Sequence, residues 1–234
     1  MPFASKTVLV TGAAGNLGRA IAAAFVARGA NLVLVDRQRE SLVAAFGAES
    51  ERRLFAPADL LDQAEVEAVV RRAVERFRRI DVLCNIAGGF RMGEPVHQTS
   101  DKNWNFLFDI NVRTLLHAVR AVVPQMIDGG GGKIVNVGAF AAQKGVAHMG
   151  AYTAAKGAVI RITEAMAAEL RAKNINVNCV LPTIIDTTEN RAAMPAADES
   201  RWVAPADLAN VIVFLASDDA RALHGAAIPV SGLS

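Results

Sequence analysis

Seven apolar runs recur along the chain: TVLV (7–10), NLVLVD (31–36), LFAPA (54–58), DVLCNIA (81–87), KIVNVGA (133–139), NVNCVLP (176–182) and AAIPV (226–230). They are continuous rather than alternating, which predicts strands covered on both faces, as in a parallel sheet flanked by helices. The intervening segments carry helical periodicity. DQAEVEAVVRRAVERF opens on Asp62 and Glu65, spaced as a capping box, and PADLANVIVFLAS places Pro205 in a first turn. Strands joined by crossover helices predict one doubly wound α/β domain over residues 1–234. GGGG at 129–132 reads as a helix stop and a turn before the fifth strand, without the Lys-Ser/Thr ending of a phosphate-binding P-loop.

Composition narrows the class. Hydrophobic residues make up 52% and charged residues 21% of the 234 positions, enough apolar material for a large core. The net charge is +2, and RRAVERFRR (71–79) alternates with apolar positions as a solvated helix face does, so no nucleic-acid partner is expected. Cys84 and Cys179 sit singly in apolar runs, as buried thiols in a reducing cytoplasm would. MPFASKTVLVTG leads straight into a strand and no apolar run approaches ~18 residues, so neither a signal peptide nor a membrane span is expected. The four histidines form no ligand pattern, and no metal is expected.

The first strand runs into TGAAGNLGRA (11–20) and then a helix. Glycines at 12, 15 and 18 permit a tight turn and close approach of a pyrophosphate to the free N–H groups of the helix start. Asp36 ends the second strand, 18 residues beyond Gly18, where a carboxylate accepts from ribose hydroxyls and repels a 2′-phosphate. That favours NAD(H); the guanidinium of Arg37 beside it keeps NADP(H) open. These features alone also leave open a methyltransferase.

Tyr152 is the only tyrosine, and Lys156 follows at i+4, on the same helix face. An ammonium under a phenol makes it a usable acid. TGAAGNLG, DVLCNIAG, DINV and YTAAK, in this order and spacing, resemble the short-chain dehydrogenase/reductase family over nearly the whole chain. The resemblance implies a single-domain Rossmann fold with seven parallel strands in the order 3-2-1-4-5-6-7, a small-molecule substrate and a homodimer or homotetramer. It also implies that Tyr152 is the general acid, that Lys156 binds the nicotinamide ribose and lowers the phenol pKa, and that Asn111 holds a relay water. The cofactor would be held by Gly12, Gly15, Asn16, Leu17, Gly18, Asp36 and Arg37; by Asp59 and Leu60 at the adenine; by Asn85, Ala87 and Gly88 at its ribose; and by Pro182, Ile185 and Thr187 at the carboxamide.

The chain departs from the family pattern at four places. Asn16 stands for a glycine of the turn, Ile86 for the second Asn of NNAG, and Thr183 for the glycine of Pro-Gly. Ala139, thirteen positions before Tyr152, stands where the family has its catalytic serine. That loss points to a substrate already prone to accept hydride, such as a quinonoid or imine-like ring. GAFAA and CVLPTIIDTTENRAAMPAADESRW resemble dihydropteridine reductases in particular, whereas HGAAIPVSG is closer to general bacterial carbonyl reductases. Gln143 and Thr183 are candidates for a replacement donor, and His148 for the pocket wall. Residues 184–204 read as a lid, with Met194 and Trp202 covering the substrate.

Overall fold

The structure is a computed structural model and describes residues 3–234; Met1 and Pro2, the start of the expected domain, lie outside the described residues. Its strands are β1 (Thr7–Thr11), β2 (Asn31–Val35), β3 (Arg53–Phe55), β4 (Val82–Asn85), β5 (Gly132–Val137), β6 (Ile175–Pro182) and β7 (Ala227–Val230). They form one sheet in the order 3-2-1-4-5-6-7, parallel throughout. Leu9 of β1 faces one core layer, while Val8 and Val10 face the other. Both sides of the pleat are therefore apolar, which is the physical source of the uninterrupted runs. LFAPA is strand only to Phe55. Ala56 still donates to the Leu34 carbonyl and Ala58 to that of Asp36, just past β2, while Pro57 between them points to the open side of this edge strand, where no N–H is needed.

The long helices are α1 (Asn16–Val26), α2 (Arg39–Phe46), α3 (Gln63–Phe77), α4 (Asp101–Phe108), α5 (Thr114–Asp128) and α6 (Gly150–Leu170). A short α7 (Thr188–Ala193) and then α8 (Pro205–Leu215) follow β6, with Pro205 in the first turn of α8. α1 and α8 cover one face of the sheet; α3, α5 and α6 cover the other. Half of the expected capping box forms: Asp62 accepts from the N–H groups of Ala64 and Glu65, but the Glu65 carboxylate turns to the Asp59 N–H, 2.7 Å away. Gly130 and Gly131, at φ 81° and 140°, make the turn after α5, and Gly132 begins β5.

The segment 184–204 is folded rather than an open loop. Thr187 caps α7 through Asn190 N–H, and Arg191 bonds Asp186 at 2.6 Å and Glu199 at 2.8 Å. Ile185 bridges Val203. Contrary to its expected place on a lid, Trp202 turns inward and is only 8% exposed, while Met194 ends α7 half-buried. The indole is large and apolar, so the core claims it.

Candidate active site

The carboxyl ends of β1, β2 and β4 open onto a cleft of about 900 Å³. Gly12, Gly15, Asn16, Leu17 and Gly18 form one wall; Asp36, Arg37, Asp59 and Leu60 one end; Ala87, Gly88 and Thr187 the other side. Glycine is required at two points. A Cβ on Gly18 would lie 2.3 Å from the Gly12 carbonyl oxygen, and one on Gly12, at φ +63°, 2.9 Å from Ala87 Cα. The backbone is thus bare where α1 starts, as a dinucleotide pyrophosphate needs. Thr11, which sequence reasoning passed over beside the glycines, organises the opposite wall. Its hydroxyl accepts from the N–H groups of Ile86 (3.0 Å) and Ala87 (3.2 Å).

Asp36 accepts from Ala14 N–H at 2.9 Å, so the carboxylate ties the end of β2 to the glycine turn while lining the cleft. Arg37 leans on Asp59 at 3.6 Å and is otherwise solvated. Asn16, in place of the glycine, donates to the Glu189 carboxylate at 2.7 Å and accepts from Arg19 at 2.7 Å. Glu189 had no sequence signal, because the contact spans 173 positions.

Asn85, Pro182 and Ile185 are not among the residues lining the cleft, and neither are Asn111, Tyr152 and Lys156. Asn85 does not line the cleft: in the parallel register it faces Asn136, and its amide donates to the Asn136 side chain at 2.9 Å inside the core. Asn136 in turn donates to Thr163 of α6. Pro182 closes β6 and is buried, and Ile185 packs on the α1/α8 core layer. Thr183 is held by the chain end, donating to the Ser231 carbonyl and bonding Ser234 Oγ at 2.8 Å. Gln143 is exposed, and His148 borders Tyr152 from the start of α6.

Tyr152 and Lys156 occupy successive turns of α6. Lys156 is buried and donates to the Val137 carbonyl at 2.8 Å. No hydrogen bond joins it to the phenol among the described residues. Burial pushes the Tyr152 hydroxyl up to about 12 and the Lys156 ammonium down to about 8. Asn111 sits in a π-helical turn (Asp109–Arg113) between α4 and α5. It grips Gly89 from both sides, Oδ1 accepting from the N–H (3.1 Å) and Nδ2 donating to the carbonyl (3.0 Å). A Cβ on Gly88 would meet both Asn111 Oδ1 (2.9 Å) and Lys156 Nζ (3.2 Å), so the two polar heads converge there. Ala139 follows β5 in extended backbone, 5% exposed, with no hydroxyl to offer.

A doubly wound sheet, a bare glycine cradle and a phenol above a buried ammonium define an NAD(P)-dependent oxidoreductase. The short chain dehydrogenase family model matches residues 6–198. The chain is 33% identical to D-threitol dehydrogenase of Mycolicibacterium smegmatis over 239 residues, 97% of this chain and 92% of that one. Its structure is similar to carveol dehydrogenase from Mycobacterium avium in complex with NAD (TM-score 0.89, 29% identity, 98% and 97% of the two chains). It is also similar to ElxO with NADP bound (TM-score 0.90, 25% identity, 97% of each chain). The chain belongs to the short-chain dehydrogenase/reductase family.

Among the described residues, no group of three His, Cys, Asp or Glu side chains is placed to hold a metal ion, and no helix is long and apolar enough to cross a membrane.

Proposed function

We propose that the protein is an NADH-dependent reductase of activated carbonyl, quinonoid or imine-like substrates. The observation that carries this reading is Ala139: just past β5 and thirteen positions before Tyr152, the chain has a buried methyl in place of the hydroxyl that would serve as an oxyanion donor. The cleft, the glycine cradle and Asp36 suit a dinucleotide, whose reduced nicotinamide would supply a hydride to the substrate. Tyr152 gives its phenolic proton to the substrate oxygen or nitrogen as negative charge develops there. Lys156 stabilises the phenolate that remains, and the Asn111 oxygen keeps a lone pair for a relay water. NADH consumption with naphthoquinone, diacetyl, quinonoid dihydropterin and a simple aliphatic ketone tests the reading. Turnover of the first three well ahead of the simple ketone supports it, and equal turnover of all four refutes it. Quinonoid dihydropterin ahead of every other substrate would make the protein a dihydropteridine reductase.

The preference for NADH rests on Asp36, whose carboxylate would face a 2′-phosphate, while Asp59 draws the Arg37 guanidinium aside. Asp36→Ser is expected to lower the ratio of kcat/KM for NADH over NADPH about tenfold or more. An unchanged ratio would remove Asp36 from the choice.

The pH dependence follows from the buried lysine. Its ammonium exists below about 8 and is lost above it, whereas the phenol stays protonated to about 12. Substrate reduction is therefore expected to be level below about pH 8 and to fall above it, read as kcat/KM against pH. In Lys156→Arg that falling limb should disappear, because a guanidinium stays charged across the range. A limb that stays in place would assign it to another group.

A homodimer or homotetramer is proposed as well. Trp104 of α4, 43% exposed, stacks on Phe108 at 4.7 Å and offers an apolar surface there. A cytoplasmic location is consistent with the two free, buried cysteines.

A further inference from the structure

Three residues beyond the end of β4 the chain reads Gly88-Gly89-Phe90, and the two glycines have steric reasons. Gly88 passes against Asn111 Oδ1 and Lys156 Nζ; a Cβ on Gly89 would lie 3.1 Å from Ile110 and 3.2 Å from Phe106. With Asn111 clamping Gly89 at both backbone groups, the next residue is delivered in one place. That residue is Phe90, whose ring meets Tyr152 edge to face with centroids 4.8 Å apart and planes at 87°. The segment beyond it is also fastened. Arg91 lies 3.7 Å over the Phe106 ring and donates to Asn103, Gly93 N–H donates to the His148 carbonyl at 2.8 Å, and Val96 crowds Gly150.

Despite the contact with Tyr152, Phe90 remains 54% exposed, and Met92 and Val96, further along the same segment, are 60% and 73% exposed. A large aromatic ring held rigidly at the catalytic phenol, with its remaining surface open and apolar neighbours alongside, has unused stacking capacity. It offers no hydroxyl or amide to a polyol. We propose that Phe90 is the specificity-determining residue of this enzyme: a fixed aromatic wall that packs against a flat, apolar ring bearing the reducible group, and so selects quinones and aryl or cyclic diketones over polyols and small aliphatic carbonyls. The proposal rests on the reductase reading above and names the substrate class for the same site.

The test compares wild type, Phe90→Leu and Phe90→Ala with naphthoquinone and diacetyl as substrates. It also measures binding of naphthol, which carries no carbonyl to reduce, to the NAD+-loaded protein by calorimetry. Phe90→Ala is expected to raise KM for naphthoquinone and the naphthol Kd about tenfold, with diacetyl KM and NADH affinity changed less than about twofold. Phe90→Leu, which keeps apolar volume but not the flat face, should fall between and guards against a misfolded alanine variant. Equal loss for naphthoquinone and diacetyl, or an unchanged naphthol Kd, would overturn the proposal. If the wild type turned over neither substrate, the reductase reading would fail while naphthol binding still decided the role of Phe90.

Discussion

Tyr152→Phe is expected to lower kcat for every reducible substrate by about a thousandfold while leaving NADH affinity within about twofold, since a positioned general acid contributes on the order of 10²–10⁴. The substitution removes one oxygen and keeps the ring, so the edge-to-face contact with Phe90 survives. The buried Lys156 keeps its hydrogen bond to the Val137 carbonyl. Rapid-mixing measurement of NADH oxidation, beside a fluorescence titration of NADH, separates chemistry from binding. A non-catalytic NAD(H)-binding sensor or scaffold would show no activity to lose, and an unchanged rate would transfer the proton to another donor.

Ala139→Ser is the complementary gain. One donor aimed at a developing oxyanion contributes about 10²- to 10³-fold, or roughly 3 to 4 kcal/mol. The backbone at Ala139 is extended (φ −155°, ψ 144°) and caps a single 3₁₀ turn over Phe140–Gln143, a position at which serine is well accommodated. Reduction of a simple ketone is therefore expected to rise by about a hundredfold, and that of naphthoquinone by less than about fivefold, because its acceptor carbon needs less help. The ratio of the two kcat/KM changes is the measurement. Equal gains would mean that the missing hydroxyl says nothing about substrate activation.

Phe90 shows why part of the site escaped a sequence reading. A phenylalanine in NIAGGF is unremarkable among ten in the chain. Its importance comes from two glycines threading past Asn111, Lys156, Ile110 and Phe106, which lie on other elements. Asn85 is the converse: it stands in a motif associated with the cofactor, yet parallel pairing of β4 with β5 sets it opposite Asn136, and an amide in a core takes the partner within reach. Trp202 and Glu189 belong to the same class. The first was drawn into the core from a segment expected to be a lid, and the second reaches across 173 positions to Asn16.

The sheet, the glycine turn and its acid at Asp36, the Tyr152–Lys156 pair and the missing hydroxyl at Ala139 can all be read along the chain. Each is local: strand burial shows as a run, a turn as a glycine spacing, a helix face as an interval of four. That Lys156 gives its hydrogen bond to Val137, that Asn111 clamps Gly89, and that Phe90 lies against the phenol emerge with folding. Those pairings depend on strand register and on which helix face meets which strand end, and no local period along the chain encodes either.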